Sequence, residues 1–351
     1  MSGSSGDAVD LLVVGAGPAG VMAALRAAYL GTRTTLLTSG DFGGMAANDG
    51  PVPIRTLAHV ARLLREARQL GRYGVAVGEP VLDYPRLLER VREVVGEVAA
   101  ASSLRPQIDA AGVVVRERLG AVRFVEPGTV ATEADERYRA ARIILCTGGV
   151  SRRLPIPGFE LTATHSDAWS LNAAPASMLV IGAGATGAQV ASVFNAFGTR
   201  VQLFEAGERI LLTEEREVSA AVAAAFRASG IEVHEDFGMI EAFEKTPDGV
   251  RMIYAKDGER RSAEAALAVS AVGWSANTAG LNLSAAGIEV DGRGFVRVDQ
   301  HLRTTSPQVF AAGDVTGGLM LVGPALQAGF VAATNAVSGP VVTMAHEISP
   351  V

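Results

Sequence analysis

One cysteine in 351 residues, Cys146, leaves no partner for an internal disulfide and argues against a cysteine-based metal centre. A lone thiol suits a reducing compartment, and a cytoplasmic location is the expectation. Positive charge is scarce: 31 Lys and Arg stand against 37 Asp and Glu, a net charge of −6, and no basic cluster appears. A nucleic-acid partner needs a basic surface and is therefore not expected. No apolar run reaches membrane-spanning length before Gly, Ser, Asn or a charge breaks it, so no span is expected. The start, MSGSSGDAVD, lacks the basic-then-apolar pattern of a secretory signal, and residues 1–8 read as a disordered leader. The five histidines, His59, His165, His234, His301 and His346, fall in no Ser-His-Asp order and no metal spacing, so no metal site is expected.

What the chain does have is glycine, 40 residues of it, and a 48% hydrophobic composition that suits strands buried on both faces of parallel sheets. Its length accommodates two nucleotide-binding modules. Val9 to Val14 reads as a strand running into Gly15-Ala16-Gly17-Pro18-Ala19-Gly20 and then an Ala-rich helix through Leu30. Met178 to Ile181, Gly182-Ala183-Gly184-Ala185-Thr186-Gly187 and a helix to about Phe197 repeat that grammar. A second strand follows each helix, over Thr34–Leu37 and Arg200–Phe204. Thr38 and Glu205 then stand each 23 positions after the first glycine of their turn. A lone GxGxxG is a weak signal; two in matching register are a strong one.

Between the copies the pattern predicts helices over Ile54–Leu70 and Tyr84–Ala99 and β segments from Gly112 to Val130. Pro155-Ile156-Pro157-Gly158 marks a first crossing between domains, and a second is expected near Ala276–Leu283. Two further strands end in chemistry-bearing turns. Arg142 to Cys146 leads to Thr147-Gly148-Gly149, and Val309 to Ala312 leads to Gly313-Asp314, with a helix expected from Pro324 to Val337.

In GxGxxG the first glycine allows a tight turn, the second lets backbone approach a pyrophosphate, and the third packs the helix close on the strand. The pyrophosphate then sits on a helix N-terminus, where free N–H groups and the dipole favour negative charge. Glu205 is placed to accept hydrogen bonds from ribose hydroxyls and to repel a 2′-phosphate, which predicts NADH; a solvated strand-end glutamate is the plainer alternative. Arg200 and Arg209, near in sequence, leave NADPH open. Thr38 and Ser39 replace the usual acid of the first copy and offer only hydroxyls.

These segments together resemble the FAD-dependent pyridine nucleotide-disulfide oxidoreductases, of the dihydrolipoamide dehydrogenase and mercuric reductase branch. The likeness rests on VVGAGPAG, the GG of DFGGMAANDGPVPIRTL, CTGG before LPIPG, IGAGATGAQVASVFNAFG, SAVGWSAN and VFAAGDVTGG. It implies an α/β fold of two Rossmann-like three-layer dinucleotide-binding domains, with an NAD domain at 156–279 inserted in an FAD domain at 9–155 and 280–338. It further implies that FAD lies against Gly15, Gly17, Pro18, Ala19, Gly20, Thr38, Ser39, Gly43, Gly44, Met45, Val122, Thr147, Gly148, Gly149, Asp314, Met320, Leu321, Val322 and Gly323. NAD would lie against Gly182, Gly184, Ala185, Thr186, Gly187, Glu205, Ile240 and Gly273. Residues 339–351 resemble only the opening strand of the family's interface domain, so His346 is not the family's catalytic histidine, and a homodimer is expected only where that domain exists.

Where the family carries its CxxxxC redox pair, this sequence has Ala46 and Pro51, so no thiolate forms there. The family's lysine and its glutamate partner near the flavin correspond to Arg55 and Gln189, the two residues expected beside flavin N5. The resemblance, less the cysteines, implies hydride transfer from NADH to FAD and electron delivery to a small-molecule or protein acceptor: a quinone, a small electrophile, dioxygen or a redox protein. Two other readings stand beside it: an NADH-sensing flavoprotein acting through a partner, and a homologue that has lost FAD, to which Thr38 points.

Overall fold

The computed structural model describes residues 9–102 and 104–344; the expected leader and His346 lie outside the described residues. The described chain forms two compact units. The first comprises residues up to Asp49, Glu97–Val150 and the chain from Trp274; the second comprises Gly50–Gly96 and Ser151–Gly273.

In the first unit, the strand Val9–Val14 lies between Thr34–Leu37 and Arg137–Leu145 in a parallel sheet. Val114–Arg116 extends one edge, and Val309–Ala311 pairs with Arg137–Leu145. An antiparallel ribbon of Val122–Glu126 and Thr129–Thr132 continues from Arg137–Leu145. The strands are short, apolar runs, and Leu11, Leu12, Val13, Ile143, Ile144 and Leu145 are wholly buried, as a sheet covered on both faces requires. The helix Pro18–Tyr29 packs on one face with Val322–Ser338 beside it. Small residues allow this: a side chain at Gly329 would overlap the carbonyl oxygen of Ala19. That last helix begins at Val322, two residues before the expected Pro324, because Leu321 supplies an extended N-cap and proline fits a first turn whose N–H groups have no helical acceptor.

In the second unit a four-stranded parallel sheet runs Glu232–Glu235, Arg200–Glu205, Ser177–Ile181, Leu267–Ser270. A three-stranded antiparallel meander, Met239–Thr246, Gly249–Lys256 and Glu259–Ala265, covers one face, with Phe159, Phe204, Phe237 and Phe243 between the layers. The helix Ala185–Ala196 covers the other.

The residues between 50 and 96 depart from the expected boundaries. Expected within one piece from 9 to 155, they cluster instead with the second unit. The helix Pro51–Gln69 starts three residues before Ile54, with prolines in its first turn where a missing N–H does no harm. Its apolar stripe, Pro53, Leu57, Ala61 and Leu64, is buried, and Leu57 and Ala61 share a core with Val190, Val193 and Phe194. Arg65 donates to the Ser192 carbonyl at 3.1 Å and Arg68 to that of Ala196 at 2.8 Å, satisfying oxygens near that helix's C-terminus. The chain leaves the first unit at Val150 and returns at Trp274, each a few residues before the expected crossings, because the strand pair Gly149–Ser151 and Trp274–Ala276 comes first. Truncating Leu57, which is fully buried, to Ala is expected to lower stability by about 2–5 kcal/mol in denaturant unfolding, against under about 0.5 kcal/mol for the half-exposed Leu63. Equal effects would contradict this assignment of the helix to the core.

Candidate functional site

The first glycine turn sits at the carboxyl edge of its sheet. Gly15, with φ of +107°, donates to the Leu37 carbonyl at 2.7 Å. A side chain there would overlap the Cys146 carbonyl, and one at Gly20 would overlap the Gly15 carbonyl. Gly17 alone meets nothing within 4 Å. Pro18 and Ala19 open the helix, and no side chain caps it among the described residues, which leaves N–H groups of its first turn without a side-chain acceptor. The Gly43 N–H donates to the Ala16 carbonyl at 2.9 Å, and a Cβ on Gly44 would lie 2.8 Å from the Gly17 Cα, so this segment lies against the turn. Met45, half-buried, continues the short helix Gly44–Asn48. Thr38 is buried, with its N–H on the Arg116 carbonyl, while Ser39 is exposed. Val122 spends its side chain in the unit's second apolar core.

On the same edge, Cys146 N–H donates to the Val14 carbonyl, and the Thr147 hydroxyl is buried with no hydrogen-bond partner among the described residues. Gly148 and Gly149 follow, and a Cβ on Gly149 would lie 3.6 Å from the Asp314 Cβ. Burial raises the Asp314 carboxyl above the usual carboxylate range. An orphaned hydroxyl and a desolvated acid beside an open glycine turn fit a polyhydroxylated phosphate ester. Of the residues after Asp314, Met320 is half-buried and Leu321, Val322 and Gly323 are exposed at the start of the last helix.

The second turn repeats the first atom for atom in its constraints. Gly182, with φ of +92°, donates to Phe204 at 2.8 Å; side chains at Gly182 and Gly187 would overlap the carbonyls of Ala271 and Gly182, and Gly184 meets nothing. Ala185 and Thr186 open the helix. Glu205 ends its strand and accepts from Ala183 N–H and Gly207 N–H, both at 2.8 Å, so its carboxylate lies against the glycine turn. The Arg209 guanidinium is engaged: it donates to the carbonyls of Leu211, Leu212 and Glu214. Arg200 begins the strand that Glu205 ends and stands at the opposite edge of the sheet. Gly273, with φ of +104°, is exposed with open space around its Cα. Ile240 is half-buried in the first meander strand, packed against the core around Phe243.

Arg55 and Gln189 both lie in the second unit and are exposed, and no hydrogen bond or ion pair joins them among the described residues. Burial pushes the Cys146 thiol far above its ordinary value, which makes it inert as a nucleophile. His234 stacks on Phe204 at 4.4 Å and His165 is buried; among the described residues no group of three metal-ligating side chains occurs. A separate groove of about 310 Å³ is lined by His234, Tyr254, Lys256 and Arg261. Its lysine is paired with Asp236 and its Arg261 with Glu259, and no residue of either glycine turn lines it.

Residues 9–329 match the model of the pyridine nucleotide-disulphide oxidoreductase family. The chain belongs to that family. It is 30% identical over 336 residues to the dihydrolipoyl dehydrogenase of Geobacillus stearothermophilus, covering 94% of this chain and 70% of the relative. To the dihydrolipoyl dehydrogenase of Zymomonas mobilis it is 34% identical over 347 residues, covering 95% and 72%. Among solved structures, the HOCl-induced flavoprotein disulfide reductase RclA from Escherichia coli superposes with a TM-score of 0.79 at 24% identity, over 95% of this chain and 72% of that one, a likeness of fold. Membership of the family carries the coarse activity, flavin-dependent oxidoreduction with a pyridine nucleotide. No helix among the described residues is long and apolar enough to cross a membrane.

Gly20→Ala and Gly187→Ala force backbone overlap and are expected to lower Tm by at least about 5 °C, at roughly 2–4 °C per kcal/mol for a chain of this size. Gly17→Ala and Gly184→Ala, with φ of −75° and −71° and open surroundings, are expected to leave the melt of the ligand-free protein within about 2 °C. Thermal melts followed by circular dichroism decide between these outcomes.

Proposed function

We propose that this protein accepts hydride from NADH at the second unit's turn, into FAD held by the first unit, and delivers the electrons to an acceptor other than a disulfide. The single observation that carries the last clause is that the sequence holds one cysteine, Cys146, which is buried with its thiolate disfavoured, while Ala46 and Pro51 stand where the resemblance implies the redox pair. Bound FAD supplies the two-electron carrier between NADH and the acceptor.

The chain's own residues supply orientation and electrostatics. The N-terminal turn at Pro18–Gly20, uncapped and facing open space at Gly17, suits the FAD pyrophosphate, with Gly43 and Gly44 closing its approach. The unpartnered Thr147 hydroxyl and the desolvated Asp314 suit hydroxyl donors and acceptors of the ribityl chain. Gly184 and the helix after it suit the NADH pyrophosphate, and Glu205 beside that turn suits the adenine ribose. NADH is favoured over NADPH because Arg209, the cation nearest to Glu205 in sequence, is engaged by three carbonyls and Arg200 lies at the wrong edge. Arg55 gives the second unit an exposed cation, the role proposed for it being to favour negative charge on the reduced flavin, with Gln189 as a neutral neighbour. A quinone, a small electrophile, dioxygen or a redox protein meets the requirement for an acceptor that needs no thiol, and a reducing cytoplasm supplies the NADH.

Steady-state NADH oxidation with a quinone acceptor tests this reading. Cys146→Ala and alkylated protein are expected to retain turnover within about twofold, and kcat/KM is expected to favour NADH over NADPH by at least about tenfold, or 1.4 kcal/mol. Loss of turnover on thiol modification, or equal use of NADPH, would overturn it.

Asp314 adds a pH test. Its folded-state pKa is raised, so ionisation disfavours the folded form as pH rises above the ordinary value of 3.8, and the penalty persists at neutral pH. Asp314→Asn is therefore expected to raise the Tm of flavin-free protein at pH 7, to raise it less at pH 4, close to the ordinary value, and to weaken FAD binding. A Tm that falls at both pH values would show that the carboxylate is not under strain.

A further inference from the structure

The first copy lacks a strand-end acid, yet the loop that such an acid anchors is anchored. In the second copy Glu205 does two jobs in the ligand-free chain. One carboxylate oxygen takes the N–H of Gly207, in the loop behind its strand, and the other takes the N–H of Ala183, in the glycine turn. Thr38 has no carboxylate, and its backbone is consumed by the neighbouring strand: its N–H donates to the Arg116 carbonyl and its carbonyl accepts from Leu119.

The parallel register pairs Leu37 with Arg116, which brings Glu117 level with Thr38, one strand further out. Glu117 accepts the N–H of Phe42 at 3.0 Å. Its other oxygen pairs with Arg105, whose guanidinium also binds Asp109 at 2.9 Å and lies over the Phe42 ring, 5.5 Å from the centroid. Phe42 is thus held by both its amide and its ring. The next residue, Gly43, donates to the Ala16 carbonyl at 2.9 Å, and Gly44 lies against Gly17. The residue that the carboxylate grips thus immediately precedes the one that bonds to the glycine turn.

We propose that Glu117 is the positioning residue of the first copy: it takes over the loop-anchoring job of the missing strand-end acid and fixes Phe42–Gly44 against the turn in the shape that FAD binding needs. This rests on the reading that the first unit holds FAD. Arg105 keeps the carboxylate aimed at Phe42. A charged acceptor on a backbone N–H is a strong anchor for a loop of glycines, whose conformational freedom would otherwise be lost only on binding. The displaced acid also accounts for Thr38 without requiring that FAD be lost.

The test uses the full chain stripped of flavin, with FAD affinity read by quenching of flavin fluorescence and fold integrity by the melt of the flavin-free protein. Glu117→Ala is expected to weaken FAD binding roughly tenfold or more while the flavin-free Tm falls by no more than several degrees and the melt stays cooperative, the scale of losing one charged hydrogen bond. Glu117→Gln, which keeps an acceptor for Phe42 but not the charge for Arg105, is expected to fall between Glu117→Ala and the wild type. Wild-type affinity in Glu117→Ala, or a flavin-free Tm that falls in step with affinity in both variants, would overturn the proposal. A wild-type chain that takes up no FAD would instead overturn the functional reading beneath it and this proposal together.

Discussion

Each unit depends on one close backbone approach. The third glycine of its turn, Gly20 or Gly187, lies so near the carbonyl of the first, Gly15 or Gly182, that any side chain there would overlap it. That approach sets the helix against its strand, brings the helix N-terminus to the sheet's carboxyl edge, and leaves the middle glycine facing open space. The parallel register does the rest. Val14 beside Leu145, and Ile181 beside Ser270, carry Thr147 and Gly273 to the same edges as the turns. The chemistry collects there because the backbone leaves it nowhere else to collect.

The two edges are not equivalent, and the difference lies in where the acid stands. Glu205 remains at the strand end of the second turn, bonded to it by Ala183. In the first, the hydroxyl of Thr38 stands in its place and the carboxylate is found one strand over, at Glu117, gripping Phe42. Neither edge presents a thiol: the one cysteine is spent in the core beneath the first turn, where burial keeps it protonated. The family's fold is retained in a chain whose single cysteine can form no internal redox pair.

Much of this was legible in the sequence because it is local. A strand, a tight turn and a helix written within 20 residues leave a period and a punctuation, and the strand-end residues then fall at matching distances. What was not legible is what a local pattern cannot encode. The stripe of Leu57, Ala61 and Leu64 announces a buried helix face, but nothing in it names Val190 and Phe194 as its partners rather than the sheet next to it in sequence. Glu117, in a charged stretch between Arg116 and Arg118, reads as a solvated residue until the register sets it beside Thr38. The absence of an acid at Thr38 was the available signal; it invited a search of the neighbouring strand end. Arg209 was misleading for the reverse reason, since nearness to Glu205 in sequence does not reveal three carbonyls that claim its guanidinium first.

The central claim is that NADH reduces a flavin in this chain with no thiol between flavin and acceptor. An anaerobic spectral titration with NADH tests it most directly. The account predicts that the flavin bands bleach in a single phase, with no long-wavelength thiolate–flavin absorption at any point, and that NADPH achieves the same only at higher concentration. A long-wavelength band on partial reduction, or a bound flavin that NADH leaves oxidised, would contradict it.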